Sequence, residues 1–178
     1  MRQWNSWGDS ETKMAINAKA AQFLQEIIGQ ATALTDATLA DVMAKVPPTR
    51  LPEHPLIATD AENRVRHARG QSLPDWLAWR SGNIPVFPDG VAFPTNSKQV
   101  AELLSLAKAK NWVVIPYGGG TSVVGHINPI ADERPILTLS LALLNQLLAL
   151  DEASQLATIG AGANGPQVEA LLKPHGYT

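Results

Sequence analysis

Apolar and polar positions alternate with two distinct periods in the second half of this chain. Val100, Leu103, Leu104 and Ala107 fall at i, i+3, i+4 and i+7, the stripe of an amphipathic helix capped by Asn96 or Ser97 and running through Lys110. A short apolar run, Val91 to Phe93, precedes it after the turn Pro88-Asp89-Gly90, and a β-branched run, Trp112 to Ile115, follows. This strand–helix–strand unit of about 25 residues predicts a parallel pair joined by a right-handed crossover. Between Ile136 and Leu141, Leu137, Leu139 and Leu141 alternate with Thr138 and Ser140, which predicts a third strand. Leu147–Leu150 and Leu156–Ile159, separated by Asp151-Glu152-Ala153-Ser154, read as a hairpin. The strands near 113, 137, 148 and 157 are expected to share one sheet. Asn164 to His175 reads as a last helix, with Val168, Leu171 and Leu172 inward and Gly176 closing it.

The first part of the chain is less regular. Ala18 to Ile28 has the stripe Ala20, Phe23, Leu24 and Ile27, with Gly29 as its stop. Thr35 or Asp36 is placed to cap a second helix through Lys45, ended by Pro47-Pro48. Val46 to Pro55 is rich in proline and must be extended. Asp60 caps a helix over Ala61 to Ala68 that Gly70 stops. Ser72 or Leu73 precedes Pro74, a favoured first helical residue, and Ser81-Gly82-Asn83 ends the helix that follows. The pattern divides the chain into a helical arm, 1–83, and an alternating α/β unit, 84–178, an α+β fold.

Composition narrows the chemistry. The chain has 178 residues, 45% apolar and 17% charged, with a net charge of −2. It is long enough for a core and lacks a basic field for nucleic acid. Cysteine is absent, which excludes disulfides, thiolate metal sites and thiol catalysis. The N-terminus has no apolar signal region, and Ile136–Leu150 is too short to span a membrane, so a cytoplasmic protein is expected. The histidines at 54, 67, 126 and 175 have no metal-ligand spacing, so no metal site is expected. His126 is expected to face solvent, with an approach to a cofactor as the alternative. Arg64, Arg66, His67 and Arg69 read as a solvated helix face paired with Asp60 and Glu62, and a substrate phosphate or carboxylate is the alternative. Trp76 and Trp79 are expected to pack the arm on the main unit, and Asp151 and Glu152 to be solvated on their turn.

The segment with the clearest chemistry is Pro116-Tyr117-Gly118-Gly119-Gly120-Thr121-Ser122-Val123-Val124-Gly125, directly after a strand. Ligands of open α/β sheets bind beyond such strand ends. Three glycines let backbone N–H groups converge on an anion, and Thr121 and Ser122 add hydroxyls. A dinucleotide G-x-G-x-x-G fails at Val123, and a P-loop fails at His126, where lysine is required. An unliganded glycine turn is the alternative reading of the loop by itself.

The strand, the Pro116-x-Gly-Gly-Gly120-Thr-Ser122 loop, a later apolar strand and Gly160-Ala161-Gly162 together resemble the FAD-linked oxidase family, of the vanillyl-alcohol oxidase / p-cresol methylhydroxylase type. Trp4-Asn5-x-Trp7-Gly8, Asp60-Ala-Glu62 with Arg64, Asp89-Gly-Val-Ala-Phe-Pro94, Asn128-Pro129, Pro135-Ile-Leu-Thr138, Asp151-Glu152 and Leu171 to Tyr177 narrow it to the branch that includes alkyldihydroxyacetonephosphate synthase. The resemblance implies an N-terminal arm followed by the first, βαβ-containing subdomain of a p-cresol-methylhydroxylase-type FAD-binding fold. It implies that Pro116, Tyr117, Gly118, Gly119, Gly120, Thr121, Ser122 and Gly125 cradle the FAD pyrophosphate, with Gly160 and Gly162 near the cofactor. Thr121 stands where covalent members can carry histidine, which implies non-covalent FAD. The family continues beyond the equivalent of Thr178 into a second cofactor-binding stretch and a substrate cap. The resemblance therefore implies a truncated flavin domain, inactive alone, whose catalytic residues lie elsewhere. The implied parent is a flavin oxidase or dehydrogenase on a small-molecule substrate, or an ether-lipid synthase, with a homodimer as a further expectation. An inert fragment, or a binding module completed by a partner, is the competing reading.

Overall fold

The computed structural model describes residues 1–178 apart from 1, 2, 7, 10, 13, 33 and 34. Trp7 of the N-terminal motif thus lies outside the described residues. Six helices form among the described residues: α1 (Ala18–Ile28), α2 (Leu39–Met43), α3 (Ala61–Arg66), α4 (Leu73–Ser81), α5 (Ser97–Ala109) and α6 (Gly165–Leu172). The strands are β1 (Ile57–Ala58), β2 (Gly90–Ala92), β3 (Val113–Tyr117), β4 (Ile136–Ser140), β5 (Leu147–Asp151) and β6 (Leu156–Ile159).

Helix starts follow side-chain capping. Asn17, Thr38, Asp60, Ser72, Asn96 and Asn164 each accept a backbone N–H of the first turn of their helix. Thr38, rather than Thr35 or Asp36, starts α2, because Asp41 completes a reciprocal cap with it. Asp36 instead pairs with Arg80, its two oxygens accepting Nε and Nη2 at 2.9 Å each. Helix α3 ends at Arg66, short of Ala68, and the final helix gives way to a 3-10 turn over Lys173–His175.

The main sheet has the order β1-β2-β4-β3. The sequence pattern predicts β2 and β3 as a parallel pair. They are parallel, but β4 lies between them and pairs with both. Strand β4 is apolar enough to be buried on both sides, so it takes the centre. Strand β1 lies just past the proline-rich segment, at positions where the sequence pattern predicts no element, and it adds antiparallel to β2. Strands β5 and β6 form a separate antiparallel hairpin and do not join the main sheet. The main ladder's last rung is the Leu141 amide on the Tyr117 carbonyl, after which the chain turns away through 141–146.

Two apolar clusters form the core. Leu137 and Leu139 pack with Leu103 and Ala107 of α5, together with Leu51, Ile57, Ala92 and Trp112. Val42, Val65, Ala68 and Trp79 of the arm form the second cluster with Ile84 and Phe87, which follow it, and Trp4 meets Trp79 edge-on at 6.0 Å. The arm packs through Trp79, while Trp76 is partly exposed and donates its Nε1–H to Gln71. Helix α1 forms over the residues its stripe predicts, yet none of its side chains is buried, and Phe23 and Ile27 are 61% and 63% exposed.

The basic cluster is not a solvated face throughout. Arg64 is 3% exposed. Its Nε donates to the Pro88 carbonyl at 2.6 Å and its Nη1 to the Pro47 carbonyl at 2.7 Å. Burial pushes its guanidinium pKa below the ordinary value, against the opposing pull of Asp89. The proline-flanked segments it grips have carbonyls that no ladder satisfies, and a buried arginine supplies the missing donors. Arg66 does pair with Glu62, at 2.8 Å.

Candidate functional site: a glycine loop beyond the end of a parallel strand

Strand β3 ends at Tyr117, and the glycine run starts at its C-terminal end. Pro116 is still in register with Leu139 of β4, and it is exposed. Tyr117 is buried. Its hydroxyl donates to the Arg66 carbonyl at 3.3 Å and its ring lies 4.6 Å from that of His67, so it faces the arm rather than the loop's open side.

Pro116, Gly118 to Val124, His126 and Ile127 line a shallow pocket of about 430 Å³. A Cβ built on Gly118 would meet nothing within 4 Å, and one on Gly119 only Thr121 Cγ2, at 3.5 Å. Neither has a left-handed φ, so the protein's own packing does not require glycine at these two positions. Gly120 and Gly125 differ, with φ of 69° and 77°, conformations that favour glycine. Among the described residues, the amides of Gly118 to Thr121 have no backbone acceptor outside the regular ladders. The side chain of Ser122 accepts the Gly125 amide at 3.2 Å and lies 3.0 Å from His126 Nδ1. His126 itself is exposed.

The loop is held from behind by the arm. The Gln71 amide donates to the Ser122 carbonyl at 2.6 Å, and the Gly70 amide donates to Asn128 Oδ1 at 2.8 Å. Asn128 Nδ2 donates to Asp75 Oδ1 at 2.7 Å. A Cβ at Gly70 would overlap the Ser122 carbonyl oxygen. Asp75 and Gly70 are absent from the sequence-derived site. Ser72-x-x-Asp75 is legible as a helix cap, but nothing local shows that Asp75 also reaches Asn128.

Gly160 and Gly162 do not line the pocket. A Cβ on Gly160 would overlap the Leu144 carbonyl, and one on Gly162 the Leu141 carbonyl. Their amides donate to Gln146 and Leu144 at 2.9 and 2.8 Å. They fold the end of β6 onto the 141–146 turn. Asp151 and Glu152 are exposed, and Asp151 Oδ1 accepts the Ala153 and Ser154 amides at 3.1 and 3.2 Å, closing the hairpin turn.

A glycine-lined pocket at the C-terminal end of a parallel strand, backed by a helical arm, has the layout of a nucleotide-cofactor site in an α+β domain. Residues 88–178 match the family described as FAD binding domain, and the chain belongs to that family. FAD is accordingly its cofactor, and the cradle's lack of side chains and its donor chemistry fit a pyrophosphate. Among the relatives, the chain is 34% identical over 115 residues to alkyldihydroxyacetonephosphate synthase of Dictyostelium discoideum, covering 65% of this chain and 19% of that protein. It is 34% identical over 103 residues to mitochondrial D-2-hydroxyglutarate dehydrogenase of Bos taurus, covering 58% of this chain and 18% of that one. A solved alkyldihydroxyacetonephosphate synthase superposes on 98% of this chain and 39% of its own, with a TM-score of 0.84 and 24% identity, so the two share a fold through the arm as well. The chain thus spans about a fifth of the length of these curated relatives. Among the described residues, no helix is long and apolar enough to cross a membrane.

Proposed function

We propose that the loop from Pro116 to Ser122 carries the pyrophosphate of a non-covalently bound FAD, and that the protein acts as the FAD-binding portion of a flavoenzyme. The observation that carries this reading is the pair Gly118 and Gly119. Glycine there is required neither by backbone conformation nor by any protein atom, so the demand comes from something outside the fold. A diphosphate approaching the backbone supplies that demand, because any Cβ would stand between the amides and its oxygens.

When bound, FAD supplies redox chemistry at its ring system, and the protein supplies binding and orientation. The chain's own residues do the latter. The Gly118 to Thr121 amides would hold the anion, the Thr121 and Ser122 hydroxyls would add donors, and the arm fixes the loop from the rear. Two activities fit the relatives named above. One is alkyl transfer of the alkyldihydroxyacetonephosphate synthase kind, supported by a likeness that extends through the arm. The other is dehydrogenation of a small hydroxy acid, supported by the likeness to D-2-hydroxyglutarate dehydrogenase.

Flavin retention tests the reading. The purified chain is mixed with FAD, passed through a desalting column, and the eluate is scanned for the flavin spectrum. Retained flavin supports it. No retention even at high FAD removes the claim that this chain holds the cofactor unaided.

A further inference from the structure

We propose that Asp75 and Asn128 are positioning residues for the anion-binding loop, a clasp by which the arm sets the direction of the loop's amides. The inference rests on the reading that this loop takes the flavin pyrophosphate. Asp75 is 1% exposed. One of its oxygens caps helix α4, accepting the Ser72 amide at 3.1 Å and the Ser72 hydroxyl at 2.6 Å. Its other oxygen accepts Asn128 Nδ2 at 2.7 Å, with Arg69 Nη1 3.7 Å away.

Asn128 uses both ends of its amide. Its Nδ2 is committed to Asp75, so its Oδ1 is presented to the Gly70 amide, which it accepts at 2.8 Å. Gly70 is thereby seated where a Cβ would overlap the Ser122 carbonyl, and the next amide, Gln71, donates to that carbonyl at 2.6 Å. The Ser122 carbonyl is therefore pinned from the arm. Holding that carbonyl anchors the C-terminal end of the stretch that carries the Gly118 to Thr121 amides, and this is how the clasp acts on them. A cap carboxylate needs only the Ser72 contacts for its helix. The bond to Asn128 is additional, and its effect is on the loop.

The hydrogen-bond polarity makes this testable. In Asp75→Asn, two NH2 groups face one another if Asn128 keeps its bond to Gly70. In Asn128→Asp, two carboxylates face one another in a buried place. In the exchanged pair, Asp75→Asn combined with Asn128→Asp, the amide introduced at position 75 donates to the carboxylate introduced at position 128. That carboxylate still accepts the Gly70 amide, and the side chain at position 75 keeps an oxygen for the cap. Backbone amide exchange across 118–125 is measured on the 178-residue chain without flavin, and FAD affinity by flavin fluorescence. Each single substitution is expected to speed loop exchange by about tenfold and to weaken FAD by a similar factor, the scale of one charge-assisted hydrogen bond. The exchanged pair is expected to recover most of both. Asn128→Ala, which leaves the Ser72–Asp75 cap whole, is expected to loosen the loop even if Asp75→Asn fails to fold. Unchanged loop exchange in Asn128→Ala, or an exchanged pair no better than the singles, overturns the proposal. Gly119→Val separates the two readings. If it binds FAD as the unaltered chain does, the pyrophosphate assignment fails, while the loop exchange still decides the clasp.

Discussion

Arg50 grips Asp89 with two parallel bonds, Nε to Oδ1 at 2.8 Å and Nη2 to Oδ2 at 2.6 Å. The same carboxylate accepts the Ile136 amide at 2.7 Å, the residue that opens β4, and the Asp89 amide donates to the Ile136 carbonyl at 2.7 Å. Arg50 Nη1 reaches on to the carbonyls of Asp132 and Glu133. One ion pair thus ties the proline-rich segment, the turn before β2 and the entry of the central strand.

Burial pushes the Asp89 carboxyl up, but hydrogen bonds from Arg50 and Ile136 and the charge of Arg50 outweigh it, leaving its pKa below the ordinary 3.8. A carboxylate with a depressed folded pKa stabilises the fold above its unfolded value and loses that contribution as pH falls through the folded one. Asp89→Asn should therefore destabilise the chain by about 1–3 kcal/mol at neutral pH, since it removes the charge-assisted bonds to a half-exposed Arg50. It should also make the loss of stability below about pH 4 shallower. Urea unfolding midpoints across pH 2.5 to 7 check both, using ~0.5-unit steps to resolve the acid limb.

Local chemistry made much of this legible. Asn96, Asp60 and Asn164 announce their helices because a cap acts on amides two or three residues away. The glycine loop was visible because three consecutive glycines after a strand are a local signal in themselves. Sheet order was not visible, since β4 enters between β2 and β3 only through long-range pairing. Arg64 looked solvated on its own helix, and the carbonyls that bury it lie 17 and 24 residues away. Asn128 and Gly70, 58 residues apart, carry no shared local signal.

The two glycine groups should respond in opposite ways. Gly119→Val should abolish FAD binding with the fold kept, because the added side chain enters open space on the ligand side. Gly162→Ala should instead cost about 1–3 kcal/mol, because its Cβ overlaps the Leu141 carbonyl and the chain must shift. Paired measurement of flavin retention and thermal unfolding distinguishes them. A destabilised Gly119→Val, or a fully stable Gly162→Ala, contradicts the assignment of packing to one and ligand to the other.

Trp79 is 2% exposed and donates its Nε1–H to the Gly70 carbonyl at 3.3 Å, so it holds the arm's core and the loop's rear support together. Trp79→Ala should cost about 3–5 kcal/mol through the cavity it leaves. Trp79→Phe should retain most of the packing, lose the bond to Gly70, and cost about 1–2 kcal/mol. Denaturant titration followed by far-ultraviolet circular dichroism gives both values.

Arg64 supplies the last test. Its guanidinium is buried among backbone carbonyls and has no bonded carboxylate among the described residues, its nearest acidic influences being the more distant charges of Asp89 and Asp60. Arg64→Met keeps the stem's volume and removes a costly buried charge, but it strands the Pro47 and Pro88 carbonyls. Each buried acceptor left unmade costs about 1–3 kcal/mol, and relief from arginine desolvation offsets part of that. The expected net is a loss of about 2 kcal/mol, with the segment around Pro47 released first. Limited proteolysis of Arg64→Met should therefore cut between residues 45 and 56 before it cuts the sheet, while the unaltered chain resists there. Equal cutting of the two would show that the bonds to Pro47 and Pro88 do not hold the arm in place.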